Sequence, residues 1–293
     1  MEYDMPLFRP PSEADSLIFQ VTLGCSWNRC RFCAMYKAKE FAVRPFGEVE
    51  REVAEMSRRF PGTRRIFLAD GDPVEAPADH LVKVLDLMNR RFPALERISA
   101  YAGPRTLLHR TVEELRMFRE RKLALLYLGI ETGNDELLRK VRKGATSGQI
   151  VEACKKASVA GMHMSVFILL GLGGVDGSRA HAKDSARVVN AIDPPFLAAL
   201  TLMVGPYARI YEEEVMGGGF RLLDGRQSLA ELRWFVEDLE LTGCKFGTEH
   251  ASNHLPIRGM RLPGDKGRIL GLIDRALEEP SGRMVRPEWS RGL

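Results

Sequence analysis

Ser16-Leu-Ile-Phe-Gln-Val-Thr-Leu-Gly-Cys-Ser-Trp-Asn-Arg-Cys-Arg-Phe-Cys33 joins two signals in one short stretch. Its first half, Ser16–Leu23, is apolar, rich in β-branched and aromatic residues, and stops at Gly24, which predicts a strand. Its second half carries Cys25, Cys30 and Cys33. The cysteine loop thus hangs from the carboxyl end of the first strand, where α/β folds place their functional groups. Thiols this close in sequence can turn toward one point, which suits a soft metal or an iron–sulfur cluster. A structural zinc site is the plainer alternative, but it wants four ligands in recognisable pairs. The first histidine is His80, and no fourth Cys or His follows nearby. Three cysteines without a fourth fit a four-iron cluster with one iron left open.

Working outward, the chain repeats one rhythm. Helices are predicted at Phe46–Arg59 and Pro77–Arg91, from Thr111 to Arg121, at Asn134–Arg142, from Thr146 to Gly161 and at Ser178–Ala191. Thr111 with Glu114, and Thr146 with Gln149, are capping pairs. Strands are predicted at Arg64–Ala69, Arg97–Ala102, Leu123–Ile130, Met164–Leu170 and Phe196–Met203. They end in turn at Asp70-Gly-Asp-Pro73, Gly103-Pro104, Glu131-Thr-Gly133, Gly171-Leu-Gly-Gly174 and Gly205-Pro206. Strands apolar on both faces between helices mean a buried parallel sheet. The fold class is α/β, a partial six-stranded parallel (β/α) barrel with right-handed crossovers.

The tail reads differently. Arg209–Met216 and Ser228–Leu239 are helical, Leu241–Gly247 is extended, Arg258–Gly264 is a loop and Asp265–Glu279 is an amphipathic helix. Residues 280–293, which include Pro280, are irregular. The expected division is an arm over 1–15, the barrel over 16–210, and a C-terminal helical and irregular extension over 211–293. That extension closes the barrel and is not independent.

Composition bounds the rest. The 293 residues are 45% apolar and 28% charged, ordinary for a globular chain. A net charge of +4 does not by itself imply nucleic acid. The longest apolar stretches fall short of the roughly 18–20 residues of a membrane helix. Met-Glu-Tyr-Asp begins no signal region, so the expected place is the cytoplasm. Five cysteines, an odd count, argue against a secreted disulfide framework.

A cysteine triplet after the first strand of a six-unit α/β barrel resembles the radical S-adenosylmethionine (SAM) superfamily. Further motifs agree. Phe32 stands just before the third cysteine, where the family usually has an aromatic residue beside the adenine. Asp70, Gly71, Asp72 and Pro73 follow the second strand, where the family carries a Gly-Gly-Glu-like segment that receives the methionine amino group. Leu128-Gly-Ile-Glu-Thr-Gly-Asn-Asp-Glu-Leu-Leu138, followed by Lys143-Gly144, resembles the branch of oxygen-independent coproporphyrinogen oxidases, elongator-type radical domains and tRNA methylthiotransferases. In that branch the strand-ending glutamate contacts the SAM ribose, and Glu131 is its match. Ile168–Gly174, with Gly171, resembles the segment that flanks the adenine. The resemblance spans roughly residues 15–210. It departs at one point: the first cysteine gap is four residues, Cys25-x4-Cys30, where the family usually has three. Loops tolerate such insertions.

The resemblance implies a [4Fe-4S] cluster on Cys25, Cys30 and Cys33, with the amino and carboxylate groups of SAM on the fourth iron. It implies reductive cleavage to a 5′-deoxyadenosyl radical and hydrogen abstraction from a small or medium-sized substrate. It also implies a one-electron donor such as ferredoxin or flavodoxin, and anaerobic chemistry. Arg29, Arg31, Lys37 and Lys39 make the loop basic, which suits steering of such an acidic donor, with a merely solvated loop as the favoured bland reading. Cys154 and Cys244 are too few for a typical auxiliary cluster. Cys154 reads as a packed thiol. Cys244 is a candidate hydrogen donor to a product radical, with a packed thiol as the bland reading. Tyr101, Arg105, His250, Ser252, Asn253 and His254 are candidate substrate contacts, the last four on a polar loop expected at the lower mouth of the barrel; a loop that satisfies its own backbone is the equal alternative for those four, and a surface arginine at a helix entry for Arg105. His80, His109, His163 and His181 read as structural or surface histidines. Two alternatives stay open: a radical SAM enzyme modifying RNA, and a non-catalytic iron–sulfur or zinc binding module. Against RNA, the chain shows no appended RNA-binding domain and no basic stripe.

Overall fold

Strands and helices alternate from Leu17 to Ile192, as the apolar runs and their Gly and Pro punctuation predict. The structure, a computed structural model, describes residues 3–204, 211–279 and 283–292. The predicted break at Gly205-Pro206, the start of the Arg209–Met216 helix and Pro280 lie outside the described residues. The chain divides into two compact units: residues 1–29, 33–128 and 152–164, and residues 30–32, 129–151 and 165–293.

In the first unit, the predicted strand Ser16–Leu23 forms as two pieces. Strand β1 (Leu17–Gln20) enters the main sheet, while β2 (Thr22–Leu23) pairs antiparallel with β3 (Ala42–Val43) as a separate ribbon. The break has a visible partner, because Arg44 N–H donates to Val21 O and its guanidinium to Gln20 O. Residues 24–41, the cysteine loop, thus leave and return through one small ribbon. Parallel to β1 runs β4 (Arg65–Ala69), then β5 (Arg97–Tyr101), then β6 (Leu123–Glu131). All nine residues of β6 are buried, as expected of a strand covered on both faces.

Helix α1 (Phe46–Arg59) buries Val49, Val53 and Met56, one face at helical spacing. It packs on α2 (Ala78–Arg91), which packs in turn on α4 (Val112–Glu120). The Thr111–Glu114 capping box at α4 forms as predicted. Unpredicted is α3 (Pro104–His109), which starts directly after β5 because Pro104 suits a first helical turn.

The second unit takes over at the end of β6. It holds α5 (Asp135–Lys140), the start of α6 (Ser147–Val159), most of β7 (His163–Leu170), α7 (Gly174–Ile192) and β8 (Phe196–Thr201). The Thr146–Gln149 capping pair forms at α6. From the tail come a π-helical turn over Tyr211–Val215, α8 (Gly225–Glu237), β9 (Cys244–Gly247), β10 (Met260–Leu262) and α9 (Lys266–Glu278). Helix α8 packs on both α7 and α9.

All six predicted strands form, but the sheet order β1-β4-β5-β6-β7-β8-β9-β10 has eight members, with β6 shared by the two units. The expected loop Arg258–Gly264 contains β10, which pairs antiparallel with β9. Met260 and Leu262 point inward and Arg261 outward, an alternation too short to read without its partner strand.

Candidate functional site

In the first unit, the carboxyl end of β4 grips the base of the cysteine loop. Asp70 ends that strand with φ +65°, a left-handed backbone uncommon outside glycine. Its buried carboxylate accepts from Gly24 N–H at 2.7 Å, Lys39 Nζ at 3.0 Å and Gln20 Nε2 at 3.0 Å. Gly71 N–H donates back to Gly24 O at 2.7 Å. A β-carbon on Gly71 would stand 2.5 Å from Cys25 Cβ and 3.0 Å from its sulfur, so only glycine lets the two backbones meet.

Asp72 makes a second tie. It accepts from Ser26 Oγ at 2.7 Å, Thr106 Oγ1 at 2.5 Å and Gly103 N–H at 3.2 Å. Burial raises its carboxyl pKa to about 6, against the pull of those three donors. The Asp70–Pro73 segment therefore braces the loop, a role that spacing did not reveal. Two guanidiniums lie over the Trp27 ring of the loop, Arg105 at 4.4 Å and Arg29 at 5.2 Å from its centroid. Trp27, Arg29, Glu75, Arg105 and His109 line a cleft of about 320 Å³. A larger cavity, about 700 Å³, lies beside Asp15, Arg64 and Arg65 at the amino ends of β1 and β4, away from this chemistry. Tyr101 ends β5 in an aromatic triangle with Phe67 and Tyr127, at 5.2 and 6.1 Å.

In the second unit, Glu131 ends β6 with φ +66°. Its Oε1 accepts from Lys143 Nζ at 2.9 Å, both side chains being largely buried. A β-carbon on Gly129 would collide with Oε1 of Glu131 and stand 2.8 Å from the Phe167 ring, so that glycine makes room for the carboxylate. Phe32 packs on a cluster of Val141, Leu172, Leu202 and Tyr211, and Arg31 N–H donates to Val141 O. Gly171 has φ +83°, and its N–H donates to Glu231 Oε1 at 2.7 Å.

Glu231 is fully buried and was missed from sequence. It also accepts from Ser178 Oγ and faces His181 Nε2 at 3.5 Å, and desolvation raises its pKa. A signal existed: Glu231 interrupts the buried face Leu229, Leu232, Phe235 and Val236 of α8. His181 is structural, as expected, with bonds to Thr132 Oγ1 at 2.8 Å and Leu169 O at 3.1 Å.

The polar tail loop sits differently from expectation. Asn253 bonds Thr201 Oγ1, Ala199 O and Thr248 O, and Ser252 Oγ accepts from Thr201 N–H. The loop therefore caps the carboxyl end of β8, the same strand end as Gly171 on β7, not a lower mouth. Asn253 spends its amide on the protein. His250 bonds Ser252, and His254 Nδ1 bonds Arg286 O at 2.9 Å; burial lowers both pKa values. Cys244 pairs with Leu262 just before Lys245, which faces Phe196 at the amino end of β8. Within this unit it stands at the strand end opposite Glu131 and Gly171. Burial, helped by Asp193, pushes its thiol up to about 12. Cys154 is also buried, its thiol pushed to about 12. None of the five cysteines is in a disulfide.

Parallel strands whose carboxyl ends carry the polar groups define the ligand-binding α/β class. Within it, the chain belongs to the radical SAM superfamily, whose family model matches residues 19–185. It is 23% identical over 152 residues to the heme chaperone HemW of Bacillus subtilis, covering 52% of this chain and 40% of that protein. It is 28% identical over 193 residues to the tRNA-2-methylthio-N(6)-dimethylallyladenosine synthase of Alkalilimnicola ehrlichii, covering 62% of this chain and 42% of that one. The chain thus spans about two-fifths of the length of these relatives. Its fold is like that of the coproporphyrinogen III oxidase HemN from Escherichia coli. The TM-score is 0.60 at 17% identity, over 76% of this chain and 51% of that one. Among the described residues no helix is long and apolar enough to cross a membrane.

Proposed function

We propose that this chain is a radical SAM enzyme in which Cys25, Cys30 and Cys33 hold a [4Fe-4S] cluster that binds S-adenosylmethionine. The observation that carries this reading is the cysteine loop: three thiols inside the family match, on a base bolted to the end of β4. The donor set fits such a cluster, since three thiolates leave one iron open. When bound, the cluster and SAM supply one-electron cleavage of the sulfonium and hydrogen abstraction from a substrate.

The chain's own part is to bind, orient and keep water out. Asp70, Gly71, Asp72 and Pro73 hold the loop against the strand ends, which fixes where the methionine end of SAM can lie. Glu131, balanced by Lys143, keeps carboxylate lone pairs for the ribose hydroxyls. Phe32, seated on the buried cluster around Leu172, supplies an apolar wall for adenine, and the Gly171 turn lets its backbone approach the ring. Arg105, stacked on Trp27, presents a guanidinium to an acidic group on a small or medium-sized substrate beside Tyr101. His250 and His254, kept neutral by burial, stand as further substrate contacts. Of the basic loop residues, Lys39 is buried against Asp70 and takes no part at the surface; an acidic one-electron donor of the ferredoxin or flavodoxin kind suits the exposed Arg29, Arg31 and Lys37.

The test is anaerobic. The protein is reconstituted with iron and sulfide, reduced with dithionite and given SAM. Wild type releases 5′-deoxyadenosine and Cys30→Ala does not. Zinc without iron in the purified protein, and no cleavage after reconstitution, would sink the reading and leave a metal-stabilised binding module.

A further inference from the structure

Tyr36 is 4% exposed, and its hydroxyl is buried with no hydrogen-bond partner among the described residues. Such a group is rare unless something absent from the protein completes it. The side chain cannot swing away to find one. Phe8 packs edge-on at 5.7 Å, the Lys39 ammonium lies 5.7 Å over the ring, and Asn28 Nδ2 holds the Tyr36 carbonyl at 2.7 Å.

Tyr36 follows Cys33 by three residues on the same loop, and the acidic groups whose charges act on its hydroxyl include Tyr101, Asp70, Cys33 and Cys25. Asp70 already serves Gly24, Lys39 and Gln20. Tyr101 is itself a phenol, engaged with Phe67 and Tyr127. The cysteine sulfurs are the acceptors that change on loading: weak as thiols, strong as metal-bound thiolates. A phenol carries its proton at neutral pH, so toward an anion it donates.

We propose that the Tyr36 hydroxyl donates a hydrogen bond to a sulfur of the cluster on the cysteine loop and thereby raises the reduction potential of that cluster. The proposal rests on the functional reading above, since it needs the cluster. Hydrogen bonds to cluster sulfurs stabilise the extra electron, so losing one makes reduction harder. Tyr36 is a positioning and tuning residue and touches no substrate.

The experiment uses the full chain, reconstituted anaerobically, with iron and sulfide measured and the potential read by electron-resonance redox titration. Tyr36→Phe removes one oxygen that bonds no described protein group. It should load iron as wild type does, bind SAM unchanged, and show a more negative midpoint potential. Replacing Tyr36 by 4-aminophenylalanine keeps a weaker donor in place and should give an intermediate potential. Equal potentials at equal loading overturn the proposal. So does weaker SAM binding at an unchanged potential, which would aim the hydroxyl at SAM instead. If Tyr36→Phe fails to hold iron, the 4-aminophenylalanine variant decides alone, and an unchanged potential there overturns the proposal. A wild type that takes up no four-iron cluster sinks the functional reading before any variant is compared.

Discussion

Glycines and carboxylates at the strand ends work in pairs. Gly129 leaves room for Glu131, and Gly71 leaves room for Cys25. Glu131 and Asp70, carboxylates close to these glycines along the chain, both sit at positive φ, a conformation that costs of order 1–3 kcal/mol and is held by its surroundings. Gly129→Ala should drive the Glu131 carboxylate off Lys143 and weaken SAM binding by about tenfold, the effect of losing roughly 1.4 kcal/mol. Iron loading should be unaffected, because Gly129 touches no cysteine. Calorimetric titration of the loaded protein with SAM checks this, and unchanged affinity would remove Glu131 from the SAM site. The sequence pattern showed both glycines. It did not show which side chain each one spares, because that depends on how the carboxylate folds back.

At the scale of elements, Asp72 joins the loop to the turn after β5. Its pKa in the folded protein is about 6, above the ordinary aspartate value of 3.8. Between those values the folded state holds a proton that the unfolded state has released. Stability from this group is therefore full below about pH 4 and is lost as pH rises through 6. The loss is on the order of 3 kcal/mol at about 1.4 kcal/mol per unit. Urea denaturation at pH 5 and pH 7.5 should show a smaller drop in Asp72→Asn than in wild type. An equal drop would mean that the buried carboxylate relaxes toward solvent. A second element joint is α8, whose Glu231 holds the Gly171 N–H. Helix α8 was expected from its spacing, but its contact with the turn after β7 is made far along the chain.

At the scale of the molecule, the topology decides which candidates meet. Cys244 was a possible hydrogen donor, yet β9 places it at the amino end of β8. Cys244→Ala should leave deoxyadenosine formation and substrate turnover unchanged while lowering thermal stability, and lost turnover with a normal melt would reverse this. The last residues also fold back: Arg291 donates to Ser252 O at 2.6 Å and to Leu202 O at 3.1 Å, and Arg286 N–H to His254 O at 2.7 Å. Truncation after residue 279 should speed hydrogen exchange over residues 248–254 and leave the β4 end protected. Exchange rising equally at Asp70 would show the whole fold failing instead.

The alternation of strand and helix, the capping pairs and the thiol loop were all legible in the sequence, because each depends on residues close together in the chain. Strand β10 and the β2–β3 ribbon were not, since two- and three-residue strands exist only through their partners. The tertiary structure alone turned Asp70 toward Gly24, Asp72 toward Ser26 and Glu231 toward Gly171, and buried the Tyr36 hydroxyl without a partner among the described residues. Those are contacts across long loops. Their partners are chosen by which strand ends the parallel sheet brings side by side, and local spacing carries no record of that choice.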